Sequence, residues 1–576
     1  MAELCVWAPL AERVEVDVAG TRAAMVPEGG GWFAREAPPG AEAGYRFVLD
    51  GGPPRPDPRS AWQPEGVDGP SALLEPGALR FADARWRGVH LPSSVIYELH
   101  VGTFSPEGTF DGAIARLDHL VDLGVDVVEL MPVAEFPGTR GWGYDGVLLW
   151  APHHAYGGPA GLARFVDACH ARGLGVLLDV VYNHLGPSGN HLPAFGPYFT
   201  DRYRTPWGDA VKVDGAGSDE VRRFVVEHAC TMLERYHLDG LRLDAVHAIT
   251  DASARHLLEE LAMEVDALAA RLGRPLWLVA ESDRNDPRLV RPREAGGYGL
   301  HAQWSDDVHH AIHALLTGER AGYYADFGTV EQLATALAQG WVYGRAYSPY
   351  RDRHHGEDPT GLPGWRFVVC SQNHDQVGNR ALGERLEHLT GPGPAKVAAA
   401  LVLLSPFVPL LFQGEEWAAT TPFRYFTDHV DEELAEAVRR GRREEFRDFL
   451  QPDDVPDPQD PVTAARSTLR WEELDEPVHA AMLAWYRDLL RLRAEGFGAA
   501  PLDQVRVRWD EACHWLVLER AAGTLAVNAG PEPTDVPVDP GAEVVLASEP
   551  PGPARDGRRR LAPWSAAVLR PARTAP

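Results

Sequence analysis

Three carboxylic acids in this sequence sit where acid–base and nucleophilic chemistry could be shared: Asp244 in GLRLDAVH, Glu281 in LWLVAES and Asp375 in RFVVCSQNHDQ. Cleavage of an acetal such as a glycosidic bond needs two carboxyl groups in different states. One is ionised, to attack or stabilise an oxocarbenium-like carbon, and the other is protonated, to expel the leaving oxygen. Arg242 stands two residues before Asp244, on the same face of an extended strand, and favours the ionised form there. Glu281 ends an otherwise apolar segment, where the protonated form is favoured. The same segments supply His247, Asn373, His374 and Gln376, and GVLLDVVYNH adds Asp179, Asn183 and His184.

Each of these residues also has a plainer reading. Asp179 reads first as structural, held by a neighbouring arginine. Asp244 could be half of a buried ion pair with Arg242, Glu281 could cap the next helix, and Asp375 could form a turn. Taken singly, the last three are open either way. Together they favour chemistry, because four separate strand ends would otherwise have to gather polar clusters on one face by chance.

The elements that position them follow from patterning. From Val95 onward, continuously apolar segments suited to buried parallel strands alternate with amphipathic helical ones. The eight strand segments are VIYELHVGTF, VDVVELMPV, GVLLDVVYNH, GLRLDAVHAI, LWLVAES, LHAQWSDD, RFVVCSQNHDQ and PLLFQGEEW. Helices are expected in GAIARLDHLVDLG, GLARFVDACHARG, DEVRRFVVEHACTMLERYH, SARHLLEELAMEVDALAARLG, VEQLATALAQG and AKVAAALVLLS, with an irregular excursion over 185–217. Eight such units predict an α/β fold, a closed (β/α)8 TIM barrel whose function collects at the C-terminal strand ends. Short apolar strands between Gly and Pro turns predict an N-terminal β-sandwich over 1–90. The barrel with its inserted loops spans 91–494, and VRVRW, HWLVLER and GTLAVN predict a C-terminal antiparallel β domain over 495–576. DDVPDPQDP is expected to be an exposed loop.

A net charge of −28 repels phosphate backbones and anionic lipid, which argues against nucleic-acid and membrane partners. The 17 Trp and 16 Tyr hint at sugar binding, although core packing uses the same rings. Five cysteines without a CxxC pair read as reduced thiols, and the N-terminus lacks a basic flank before an apolar core; both point to the cytoplasm. VAAALVLLSPFVPLLF is too short and too proline-broken for a membrane span and reads as buried helix followed by buried strand.

DVVYNH, GLRLDAVH, AES and QNHD, in this order and on these strands, resemble the four signature regions of the α-amylase family of retaining glycosidases. The resemblance implies that Asp244 is the nucleophile, Glu281 the general acid/base, and Asp375 the carboxylate that holds sugar hydroxyls and stabilises the transition state. It implies that Arg242, His184 and His374 surround the bond being cut and that Tyr144, in RGWGYDG, stacks on the sugar. Two departures stand out. His247-Ala248 replaces the Lys-His of many α-amylases after the nucleophile. Asn183 matches a calcium ligand of many α-amylases, yet no dense carboxylate cluster follows it, so neither metal nor other cofactor is expected.

RGWGYDGVLLWAPHHAYGGP, AESDRND, HAQWSDDVHHAIHALLTGE, QNHDQVGNR and LFQGEEWAATTPFRYFTDH resemble, more closely, the family members that hydrolyse the α-1,4 bond beside a terminal trehalose. The implied substrate is maltooligosyltrehalose and the implied pathway partner is maltooligosyltrehalose synthase. Trp207, in the excursion, with His247, Trp304 and Asp306, is a candidate for the trehalose-binding wall. For Trp207, packing the excursion onto the barrel is an equal alternative. Two other functions remain open at this stage: an α-glucan branching enzyme, with the same three acids, and a non-catalytic glucan-binding protein.

Overall fold

The computed structural model describes residues 3–75, 77–205, 207–447, 451 and 454–571. Pro206 of the excursion, Asp453 of the DDVPDPQDP loop, and Met1 and Ala2 of the N-terminus lie outside the described residues. Eight parallel strands close into a barrel in chain order: β1 (Ile96–Leu99), β2 (Val127–Leu130), β3 (Gly175–Val180), β4 (Gly240–Leu243), β5 (Trp277–Ala280), β6 (Ala302–Trp304), β7 (Phe367–Val369) and β8 (Val408–Phe412). The closing pair is β8 with β1, with Phe412 opposite Glu98.

The two-residue side-chain period decides what this barrel holds. Ile96, Val127, Leu177, Val279 and Ala302 pack together in the interior. The residues two further along β1, β2 and β3, and just past β5, are Glu98, Glu129, Asp179 and Glu281, so each strand carries one polar group from its apolar base toward the C-terminal rim. The intervening residues Tyr97, Val128, Leu178 and Ala280 join the outer core beneath the helices.

The helices form largely where their periodicity predicts, at Gly158–His170, Asp219–Arg235, Leu257–Leu272, Val330–Gln339 and Pro392–Leu403, and a further helix, Pro477–Leu492, follows β8. The 112–124 segment instead makes two short helices, Phe110–Ile114 and Leu117–Leu123. The first starts under a Thr109 cap that accepts from the Gly112 N–H. The excursion 185–217 is more ordered than expected. It carries the antiparallel hairpin Phe199–Thr205/Gly208–Val211. In the loop that follows Asp453, Val455 is buried, contrary to an exposed reading.

Before the barrel, two three-stranded sheets face each other, one containing Glu3–Trp7 and Trp32–Glu36, the other Val14–Val18 and Arg46–Leu49. After it, a five-stranded sheet built on Trp515–Arg520 and Gly523–Asn528 packs with a three-stranded one. No helix among the described residues is long and apolar enough to cross a membrane.

Candidate active site

β3 and β4 run in register with Asp179 opposite Arg242, so the guanidinium enters the site already paired. Arg242 Nη1 donates to Asp179 Oδ2 and to Asp244 Oδ1, each at 2.7 Å, and its Nη2 lies 3.6 Å from Glu281 Oε2. One fully buried cation thus touches three carboxyl groups on three strands. Its lower face is covered by the Trp304 ring, 4.4 Å from the guanidinium carbon.

Asp244 is held on its other side by Asn183, whose amide donates to Asp244 Oδ2 at 2.7 Å and to its carbonyl at 2.9 Å. Asn183 therefore spends its amide on the acid, and its side-chain oxygen meets His184 Nδ1 at 2.5 Å. Glu281 does not cap a helix. Its Oε2 accepts the main-chain N–H of Ala245 at 2.6 Å. Burial, moderated by Arg242 and reinforced by Asp244, pushes the Glu281 carboxyl up to about 8.

Asp375 stands in the first turn of a short helix, His374–Gly378, rather than at the end of β7. Asn373 caps that helix, its side-chain oxygen accepting from the N–H groups of Asp375 and Gln376. That use orients Asp375 and occupies the Asn373 oxygen, so Asn373 is a cap before it is a sugar contact. Asp375 is 45% exposed and open to a ligand. Gln376 also faces the site end of this helix, with a buried Oε1 that has no partner among the described residues.

His374 lies between Glu98 and Tyr144. Its Nδ1 is 2.6 Å from Glu98 Oε1, and its Nε2 is 2.7 Å from the Tyr144 hydroxyl, which donates to Asp179 Oδ2 at 2.6 Å. Burial alone would neutralise this imidazole, but the Glu98 and Asp375 carboxylates raise it to about 9. Asp179, raised by burial and lowered by Arg242, ends at about 6. The plain reading of Asp179 as an arginine-held residue fits this geometry.

The remaining candidates divide. Trp207, on the excursion hairpin, stacks on His184 with ring centroids 4.2 Å apart and planes 5° apart, yet remains 50% exposed. It both packs the excursion onto the barrel and offers a second face. His247 lies in the Val246–Ala248 turn rather than on β4, with a buried, unpartnered Nδ1. Asp306 opens the helix Asp306–Thr317, and burial with Asp283 nearby raises it to about 7. Trp304, two positions beyond Ala302, ends β6 on the barrel's inner face, 5% exposed, with its ring packed on the Arg242 guanidinium.

Sequence reasoning missed Glu98, which lies inside the strand segment VIYELHVGTF. It also missed Tyr323, 39% exposed, which stacks on His310 with centroids 4.8 Å apart and feels the Asp375 and Asp306 charges. A Tyr in a turn carries no spacing signal.

Among the described residues, Glu135, His153 and His154 could converge on a metal. His153 Nδ1, however, accepts the Ala155 N–H at 3.1 Å, which leaves the proton on Nε2, the atom turned toward Glu135 and the Phe136 carbonyl. That protonation blocks ligation, and the three residues satisfy one another instead.

The model of the Alpha amylase catalytic domain matches residues 78–193, and a domain of unknown function, DUF3459, matches 502–568. The chain is 50% identical to the malto-oligosyltrehalose trehalohydrolase of Mycobacterium tuberculosis, with all of each chain covered. It is 54% identical to that of Arthrobacter ramosus, with 92% of this chain and 93% of the relative covered. A crystal structure from Salmonella typhimurium superposes with a TM-score of 0.90 at 41% identity, covering 98% of this chain and 97% of the other. A 1,4-alpha-glucan branching enzyme of Xanthomonas oryzae is more distant, 30% identical over 53% of this chain. The closed barrel and these likenesses define a glycoside hydrolase of the α-amylase class. Within that class, the chain belongs to the malto-oligosyltrehalose trehalohydrolase family.

Proposed function

We propose that this chain hydrolyses the α-1,4-glucosidic bond beside the terminal trehalose of maltooligosyltrehalose, with retention, and releases trehalose. Asp244 attacks the anomeric carbon while Glu281 gives its proton to the departing glycosidic oxygen. The glycosyl–Asp244 ester is then hydrolysed by a water that Glu281 deprotonates. Asp375 holds the sugar hydroxyls as positive charge builds on the ring. Tyr144, His184, Arg242 and His374 form the floor, and Trp207, His247, Trp304, Asp306, Asn373 and Gln376 are the proposed sugar contacts beyond it.

The observation that carries this reading is the sharing of Arg242 between Asp244, at 2.7 Å, and Glu281, at 3.6 Å. The closer acid makes the shorter ion pair with the guanidinium. The other, buried and held near 8, keeps a proton at neutral pH. The family relatives support the choice of substrate.

The test is incubation with a trehalose-capped maltooligosaccharide and detection of free trehalose. Iodine staining of amylose in parallel covers the branching alternative, which would lower the stain without yielding trehalose. No trehalose from the purified chain would overturn the reading.

The proposed division is 1–90, 91–494 and 495–576. A maltooligosyltrehalose synthase is the proposed pathway partner, since the capped substrate must be made before it is cut. The cytoplasm is the proposed compartment, supported by five free cysteines, Cys5, Cys169, Cys230, Cys370 and Cys513.

A further inference from the structure

The residue after Asp244 has an unusual backbone. Ala245 adopts φ 38° and ψ 50°, the left-handed region that a residue with a Cβ rarely occupies. Such strain persists where the surroundings enforce it, and it gathers at functional sites. Here it turns the Ala245 N–H onto Glu281 Oε2 at 2.6 Å, and the next N–H, of Val246, onto the Glu281 carbonyl at 3.1 Å. Glu281 N in turn donates to the Leu243 carbonyl at 3.0 Å. Residues 243–246 therefore grip both the side chain and the main chain of Glu281. Ala245 is 7% exposed, so water does not compete for the N–H.

An oxygen that accepts a short N–H bond and lies 3.6 Å from a guanidinium nitrogen is the poorer place for a proton. The other oxygen, Oε1, accepts no hydrogen bond among the described residues. We infer that Ala245 is a positioning residue for the acid/base, and that its left-handed N–H assigns the transferred proton to Glu281 Oε1. The inference rests on the reading of Glu281 as the acid. In the first step the Oε1–H bond breaks, its proton joins the glycosidic oxygen, and the C1–O pair stays on that oxygen as Asp244 bonds to C1. Glu281 is left as a carboxylate whose charge is shared with Oε2, still held by the Ala245 N–H. The second step returns a proton from water to Oε1.

The direct test replaces the Ala245 N–H by an ester oxygen, by incorporating lactic acid at position 245, with alanine inserted by the same route as control. On trehalose-capped substrate, kcat is expected to fall about 10- to 100-fold with KM nearly unchanged. The basic limb of the kcat/KM profile should also move to higher pH, since the carboxylate loses a donor. Unchanged kcat and profile would overturn the inference. If the alanine-inserted control itself releases no trehalose, the hydrolase reading fails instead. A second measurement does not depend on the ester variant folding: a crystal structure of Glu281→Gln with uncleaved substrate. The glutamine oxygen is expected on the Ala245 N–H, with its NH2 toward the glycosidic oxygen. A side chain with that bond broken, or with the glycosidic oxygen against the atom bound to Ala245, would overturn it.

Discussion

Glu98 grips His374 twice, its Oε1 taking the ring Nδ1–H at 2.6 Å and its Oε2 the main-chain N–H at 2.9 Å. Both residues are almost fully buried, so the pair holds the imidazole in one orientation and keeps it charged. The charge lies beside Asp375 and reaches Asp179 through the Tyr144 hydroxyl.

Glu98→Gln is therefore expected to lower kcat/KM about 10- to 100-fold. The loss should grow as pH rises, because His374 without its carboxylate releases its proton earlier than about 9. The kcat/KM profile from pH 5 to 9 checks this. A variant parallel to the parent across that range would remove Glu98 from the account.

Asp244→Asn and Glu281→Gln should each lower kcat by about 10³-fold or more, since each deletes half of a double displacement. Circular dichroism should find both folded. Near-normal trehalose release by either purified variant would sink the assignment.

Because Glu281 must be protonated to act as the acid, kcat/KM should fall on the alkaline side with an apparent pKa near 8. Stability follows the same proton. A carboxyl raised above its unfolded value of about 4.5 binds more protons folded than unfolded, so its effect is to reduce stability as pH climbs from that value toward 8. Glu281→Gln removes this liability and should raise Tm relative to the parent at pH 8 more than at pH 5. Thermal melts at the two values decide it, and an equal difference at both would contradict the raised pKa.

Trp207 has one face on His184 and is half exposed, so its loss should matter most where trehalose is the leaving group. Trp207→Ala is expected to lower kcat/KM about 5- to 10-fold on trehalose-capped substrate, a stacking loss of about 1 kcal/mol. On plain maltooligosaccharide the loss should be smaller. Equal losses on the two would limit the indole to packing the hairpin.

The polarity pattern alone specifies the barrel and the strand-borne acids. Uninterrupted apolar runs alternating with amphipathic helices require buried parallel strands, so Arg242, Asp244 and Glu281 have to emerge at one rim. The pairing of Asp179 with an arginine was equally legible, because adjacent parallel strands bring β3 and β4 side by side. NHDQ was recognisable as a polar cluster, but its conversion into a capped helix depends on where β7 stops.

What the linear pattern does not carry is contact across the closed barrel and the direction of each side chain near a strand end. Glu98 and His374 are 276 residues apart and meet only because β8 returns to β1. Trp304 meets Arg242 only because the register of β6 in the closed barrel sets its ring against the guanidinium. Trp207 reached His184 through a hairpin whose fold is set by packing against the barrel. The left-handed turn at Ala245, which no alanine signals, goes with the Ala245 and Val246 N–H bonds to Glu281 on the next strand. Sequence periodicity records which face of an element is apolar. Register, closure and backbone strain are collective properties of the packed chain, and they decide which polar groups meet.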